Sequence, residues 1–279
     1  MITFFTIPKP FRGHIDVIQR NAIASWKRLD PGAQVILLGD EDGVAAAARE
    51  LGVEHVADVE CSELGTPRLD SAFAVARERA RGTILCFANT DVVLLDDFRA
   101  AVDRLAALDR AFLLVGESWD TRVDHVLESP DDWNAVRRFP GKKRGAGAID
   151  WFVFTPGLYD EMPPFLVGRP KFDNWLVWRA CEQDALVVDG TRVVHAVHQH
   201  HDYSHVTGGF DETRLGDEAR HNAALVGSKD RLYTRFDATH VLTPSGLRPN
   251  LGSRFRAKER TRKLIYKLRH GQLRRSQIA

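Results

Sequence analysis

The stretch "CFANTDVVLLDDF", residues 86–98, decides how this chain is read. An apolar run from Thr83 to Ala88 has the look of a buried strand and stops at Asn89-Thr90-Asp91; apolar residues then resume from Val92 to Leu95. A carboxylamide and a carboxylate at the end of a buried strand demand a reason. Two readings fit: hard oxygen donors for Mg²⁺ or Mn²⁺ holding a diphosphate, or an ordinary strand-end turn, where Asn and Asp are common.

Outward from this stretch, strand and helix patterns alternate. A strand "ITFFTI" (2–7) precedes a helix over 14–29 with Ile15, Ile18, Ala22, Trp26 and Leu29 on one stripe. The strand "VILLG" (35–39), a helix over 43–51 and a short strand near 53–56 follow. Thr66 is the expected N-cap of the next helix, with Pro67 at its first position and Leu69, Ala72, Phe73, Ala76 and Ala80 at helical spacing. Beyond the motif come a helix over 97–108, with Phe98, Ala101, Val102 and Leu105 inward, and a strand over 111–116. Such repetition predicts a mostly parallel α/β sheet covered by helices on both faces. Its ligand edge lies beyond the strand ends, at residues 8–12, 40–42 and 89–91. Residues 118–148, including "PGKKRGAGA", read as one long polar loop. The strand "DWFVF" (150–154), a helix over 173–182 and strands near 185–188 and 192–197 complete the pattern.

Composition narrows the class. The 279 residues are 44% hydrophobic, enough for a globular core, and the three cysteines (Cys61, Cys86, Cys181) lack the spacing of a disulfide framework or a zinc site. No run approaches the ~20 apolar residues of a membrane span, and Met1 leads straight into a strand, so a cytoplasmic protein is expected. The net charge of +1 conceals an acidic body, since residues 254–279 hold ten Lys or Arg and one acid, leaving 29 basic against 37 acidic side chains in residues 1–253. In that tail Ala257, Thr261, Leu264 and Leu268 share a helical stripe flanked by basic residues. It reads either as an amphipathic helix on an anionic membrane face or as a helix packed on the acidic body. Nucleic acid is not an expected partner, because no recognition motif accompanies the tail.

Other stretches carry chemistry. "HAVHQHHDYSH" (195–205) holds five of the eleven histidines; His198 and His200 share a face if the strand continues, as metal or phosphate ligands or as structural histidines. "RPKFDNWLVWRA" sets Asp173 and Asn174 at a helix start, where Asp173 is either a cap or a general base that deprotonates an acceptor hydroxyl. Asp150, at the start of "DWFVF", is placed to bind sugar hydroxyls or is simply an edge residue.

Taken in order, "TFFTIPKPFRGHIDVIQRNAIASW", "LLGDEDG", "GTPRLDSAF", "NTDVVL", "IDWFVF", "GRPKFDNWLVWRA", "HQHHDYSH" and "DATHVLT" span roughly residues 2–243. Together they resemble the GT-A nucleotide-sugar glycosyltransferases, in particular a bacterial and plant glycosyltransferase-like branch. The resemblance implies a GT-A domain over 1–253, with a nucleotide-binding half (1–116) and an acceptor and metal half (117–253), followed by the basic tail. It implies Asn89 to Asp91 as the D-x-D equivalent, with Asn in place of the first acid, and Asp91 as the metal-binding carboxylate. His198 or His200 becomes the later metal ligand, and Asp173 the base of an inverting reaction. Thr6, Pro8 and Asp40 lie near base and ribose, Arg68 and Asp70 near ribose and diphosphate, and Asp150, Trp151 and Asn174 near donor or acceptor sugar. The implied cofactor is Mn²⁺ or Mg²⁺ and the implied partners are a nucleotide-sugar, UDP-linked first, and a glycan or lipid-linked acceptor at the inner membrane face. Competing readings are a nucleotide-sugar-binding protein without activity and a zinc hydrolase built on the histidines. A sugar-1-phosphate nucleotidyltransferase is the last, disfavoured because "TIPKPFRGH" has only Gly13 where a glycine-rich loop belongs.

Overall fold

The computed structural model describes residues 1–139, 141–201 and 209–253, together with Ala257 and Thr261. His205 and the remainder of the basic tail, on which the membrane-helix reading falls, lie outside the described residues. Among the described residues, no helix is long and apolar enough to cross a membrane.

The chain runs β1 (Ile2–Thr6), α1 (Gly13–Leu29), β2 (Gln34–Leu38), α2 (Val44–Leu51), β3 (Glu54–Val56), α3 (Leu69–Arg79) and β4 (Ile84–Ala88). It continues as β5 (Val92–Val93), α4 (Asp96–Ala106), β6 (Phe112–Val115), β7 (Ser118–Thr121), α5 (Pro130–Val136), β8 (Gly141–Lys143) and β9 (Trp151–Phe154). The last elements are α6 (Phe172–Glu182), β10 (Leu186–Asp189), β11 (Ala196–Gln199), α7 (Gly209–Leu215), α8 (Asp217–Val226), β12 (His240–Thr243) and β13 (Gly246–Pro249).

A nine-stranded sheet in the order β13-β12-β10-β6-β9-β4-β1-β2-β3 forms the body. It is mostly parallel; β9 runs antiparallel to both β4 and β6, and β13 antiparallel to β12. Alternation along β1 sends Phe4 into one core, stacked on Trp26 of α1 and beside Phe98 of α4, and Phe5 into the other, against Phe73 of α3. Both cores also draw on β9 and β10, so apolar burial unites residues from either side of Gly116.

Three expectations are corrected. Residues 118–148 are not one loop: β7 pairs with β11 and β8, and α5 starts at a capping box in which Ser129 and Asp132 exchange hydrogen bonds. These pieces join a second sheet, β5-β11-β7-β8, that stands at the ligand edge of the first. Thr66 does not cap α3, which starts at Leu69 after an extended segment; its hydroxyl instead donates to Glu218 of α8. The strand foreseen at 192–197 begins only at Ala196, because residues 191–193 turn.

Candidate functional site

The site is built where β4 ends. The Asn89 N–H donates to the Asp150 carbonyl (2.9 Å) and the Val92 N–H to the Asn89 carbonyl (3.1 Å), a tight turn from which Asp91 projects. β5 then pairs antiparallel with β11, Val92 opposite His198, and the Gln199 N–H donates to the Asp91 carbonyl (2.8 Å). Backbone pairing thus delivers imidazoles to a carboxylate more than a hundred residues away in the chain.

Asp91 Oδ2 lies 3.0 Å from His201 Nε2, and Oδ1 lies 3.6 Å from His198 Nε2. Potential ligand atoms of these three residues all fall within 4.8 Å of one another. Lys9 Nζ reaches the same place, 2.8 Å from Asp91 Oδ2 and 2.9 Å from His201 Nε2. Burial alone would raise the Asp91 carboxyl, but Lys9, His198 and His201 outweigh it and hold it well below the usual carboxylate range. On the far side of the His198 ring, Nδ1 is 2.8 Å from Asp120 Oδ1. An Nδ1–H donated there leaves the Nε2 lone pair facing Asp91, as in many metal-binding histidines. Asp120 is drawn down to about 2, by the His198 hydrogen bond against its partial burial, with His200 adding to the effect. Asp91 Oδ1 is buried without a hydrogen-bond donor, so the residues present fit a divalent cation. One carboxylate and two imidazoles suit Mn²⁺ or Zn²⁺ better than Mg²⁺, which prefers an all-oxygen shell.

A cavity of about 920 Å³ opens from this cluster. Its lining includes Pro8, Pro10 and Glu41, the turn residues Asn89 and Asp91 with Arg144 and Asp150, and Arg169, Asp173 and Arg214. Arg144 lies beside Asp150 and His198, its Nε 3.2 Å from the Asp150 carboxylate and its Nη1 3.0 Å from His198 Nε2. Asp173, the second residue of α6, has a buried Oδ1 with no hydrogen-bond partner. Burial raises its carboxyl to about 6, opposed by the Asn174 N–H and reinforced by the charge of Asp150.

Of the sequence candidates, Asp91, Asn89, Pro8, Asp150, Asp173 and His198 meet at this cavity. His200 does not. Its ring turns to Asp120 (Nδ1 to Oδ2, 3.1 Å) and its side chain is 61% exposed, because β11 ends at Gln199 and His201 turns towards Asp91 instead. Trp151 cannot touch a sugar: it is wholly buried, edge-on to Phe98. Asn174 holds Tyr233 through Nδ2 (2.7 Å) and does not line the cavity, and Asp40 is exposed outside it. Arg68 pairs with Glu60 and Asp70, and Thr6 is buried in β1 beneath the lining. Sequence reasoning named neither Arg144 nor the Arg169–Glu218 pair (2.6 Å), and included Lys9 and His201 only within the 8–12 edge and the histidine-rich stretch without singling them out. The signals were the flanking prolines for Lys9 and the histidine-rich stretch for His201.

No family model matches the chain, and no curated protein matches it. Solved structures resemble the chain at low identity. A mannosyltransferase, PcManGT from Pyrobaculum calidifontis in complex with GDP-Man and Mn²⁺, is 16% identical with a TM-score of 0.43, over 70% of this chain and 56% of that one. The chain therefore spans less than two thirds of that structure. Glucosyl-3-phosphoglycerate synthase of M. tuberculosis is 16% identical, with a TM-score of 0.49 over 83% of this chain and 80% of that one. S. aureus TarS 1-349 in complex with UDP-GlcNAc is 11% identical, with a TM-score of 0.45 over 72% of this chain and 60% of that one.

Proposed function

We propose that the chain is a metal-dependent GT-A glycosyltransferase, which moves a sugar from a nucleoside diphosphate, UDP first, to the hydroxyl of a glycan or lipid-linked acceptor. The observation that carries this reading is the cluster of one carboxylate and two imidazoles at the end of β4, open to the same cavity as Asp173. Asp91, His198 and His201 would hold Mn²⁺ in preference to Mg²⁺, and the ion when bound supplies positive charge for the leaving diphosphate. Pro8, Pro10 and Glu41, all on the cavity lining, are assigned to base and ribose. Lys9 and Arg144 add positive charge beside the assigned diphosphate position, and Asp150 faces the donor sugar. Asp173 accepts the proton of the acceptor hydroxyl as its oxygen bonds to the anomeric carbon and the bond to the diphosphate breaks, which inverts the centre. The work is placed in the cytoplasm, at the inner membrane face if the acceptor is lipid-linked.

The donor set also suits zinc, which keeps hydrolysis of the nucleotide-sugar as the second reading. Calorimetric titration with UDP-, GDP- and dTDP-sugars, with and without Mn²⁺, on the wild type and Asp91→Ala tests the first. We expect one nucleotide family to bind only with Mn²⁺, with affinity lowered at least tenfold by Asp91→Ala. Binding indifferent to both metal and substitution would leave a nucleotide-sugar-binding protein without this chemistry. Stoichiometric zinc, with hydrolysis and no transfer, would favour the second reading.

A further inference from the structure

Lys9 sits inside the cluster assigned to the metal, and its backbone is fixed. Pro8 and Pro10 restrict the chain on either side. The amide of the buried Gln19 accepts from the Lys9 N–H (2.7 Å) and donates to its carbonyl (2.9 Å), while also accepting from the Thr90 hydroxyl (2.9 Å). Only the Lys9 side chain is left to move. Its ammonium lies 2.8 Å from Asp91 Oδ2 and 2.9 Å from His201 Nε2, so it engages two of the three residues assigned to the cation.

An oxygen lone pair that accepts an ammonium proton is not available to a cation in the same direction, and two positive charges at such a separation in a buried site repel strongly. The Lys9 side chain is 25% exposed and lines the cavity, whereas that of Asp91 is 4% exposed, so Lys9 has room to withdraw towards the cavity. We propose that Lys9 is an internal counter-ion that competes with the divalent cation for Asp91 and His201, and that a diphosphate in the cavity draws its ammonium away. This rests on the metal-dependent reading above. One side chain then neutralises Asp91 in the empty protein and the diphosphate in the loaded one, and metal affinity becomes coupled to nucleotide.

Free Mn²⁺ measured by electron paramagnetic resonance on the wild type, Lys9→Met and Lys9→Gln tests this, with circular dichroism to establish folding. Without nucleotide, the folded variants should bind Mn²⁺ at least tenfold more tightly than the wild type. Lys9→Gln keeps a polar contact to Asp91 should Lys9→Met fail to fold. Equal or weaker affinity overturns the competition while leaving the metal reading intact; no Mn²⁺ binding by any of the three overturns both. Added UDP should tighten Mn²⁺ binding more in the wild type than in the variants, and an equal gain overturns the withdrawal of Lys9 by diphosphate.

Discussion

Asp173 has an ordinary carboxyl value of 3.8 when unfolded and about 6 in place, raised chiefly by burial. As a base it acts only when ionised, so kcat/KM should fall about tenfold per pH unit below roughly pH 6 and level off above it. Asp173→Asn should lower kcat by about 10²- to 10⁴-fold, and any remaining activity should lose the limb near pH 6. A limb that survives the substitution belongs to another group. Stability moves the other way. Between roughly pH 4 and 6 the folded carboxyl holds a proton that the unfolded one releases, so this residue costs stability as pH rises through that window and a constant amount above it. Asp173→Asn should therefore gain on the order of 1–3 kcal/mol at pH 8, read as a higher Tm that converges on the wild type near pH 4. A lower Tm at pH 8 would mean that the contacts of the carboxylate outweigh its burial. At this scale, Asp91 and Asp173 were legible because strand ends and helix starts leave sequence marks. His201 was not: past the end of β11 no periodicity dictates which ring turns inward.

Helix α1 shows why elements were read better than their purposes. Its apolar stripe predicted the helix, and Ile18, Ala22, Trp26 and Leu29 are buried. The same face also buries Gln19, Asn21 and Ser25, polar residues that a hydrophobic pattern treats as noise. Asn21 donates to Gln199 (2.9 Å) and to the His125 carbonyl (3.0 Å), and accepts from the Leu127 N–H (2.8 Å). Gln199 in turn donates to the carbonyls of Ile18 and Asp91. Asn21→Leu strands these buried partners, and should cost about 2–4 kcal/mol in urea unfolding. It should also weaken Mn²⁺ binding, because β11 loses an anchor beside the site; unchanged metal affinity would show that pairing with β5 and β7 sets the position of β11 without Asn21. The second sheet was illegible for a related reason. Its strands are two to four residues long and come from distant parts of the chain, too short for alternation to register. Conversely, β1 to β4 and β6, each buried or half-buried over its length and separated by amphipathic helices, could be read directly.

The cavity belongs to the molecule as a whole. Glu218 of α8 ties its walls together, accepting from Ser62 (2.6 Å), Thr66 (2.8 Å) and Arg169 (2.6 Å). Burial raises its carboxyl, but these donors outweigh it and the group lies below its ordinary range. Glu218→Gln leaves Arg169 largely buried beside a neutral partner and should lower stability by about 2–3 kcal/mol, a Tm fall of roughly 5–10 °C. The KM for substrate should rise several-fold with kcat within about twofold; an unchanged KM would show that this tie does not shape the cavity. The body sheet has a further consequence, in the order of synthesis. β4 and β6 are not neighbours, because β9 lies between them and pairs with both. A ribosome therefore delivers residues 84–88 and 112–115 well before the strand that joins them. A chain released at Gly116 leaves one edge of β4 and both edges of β6 unpaired, since β9 and β10 are still to come, and should be retained by chaperones or aggregate. Once Phe154 has emerged from the ribosome the sheet gains the missing strand, and resistance to protease should rise abruptly there.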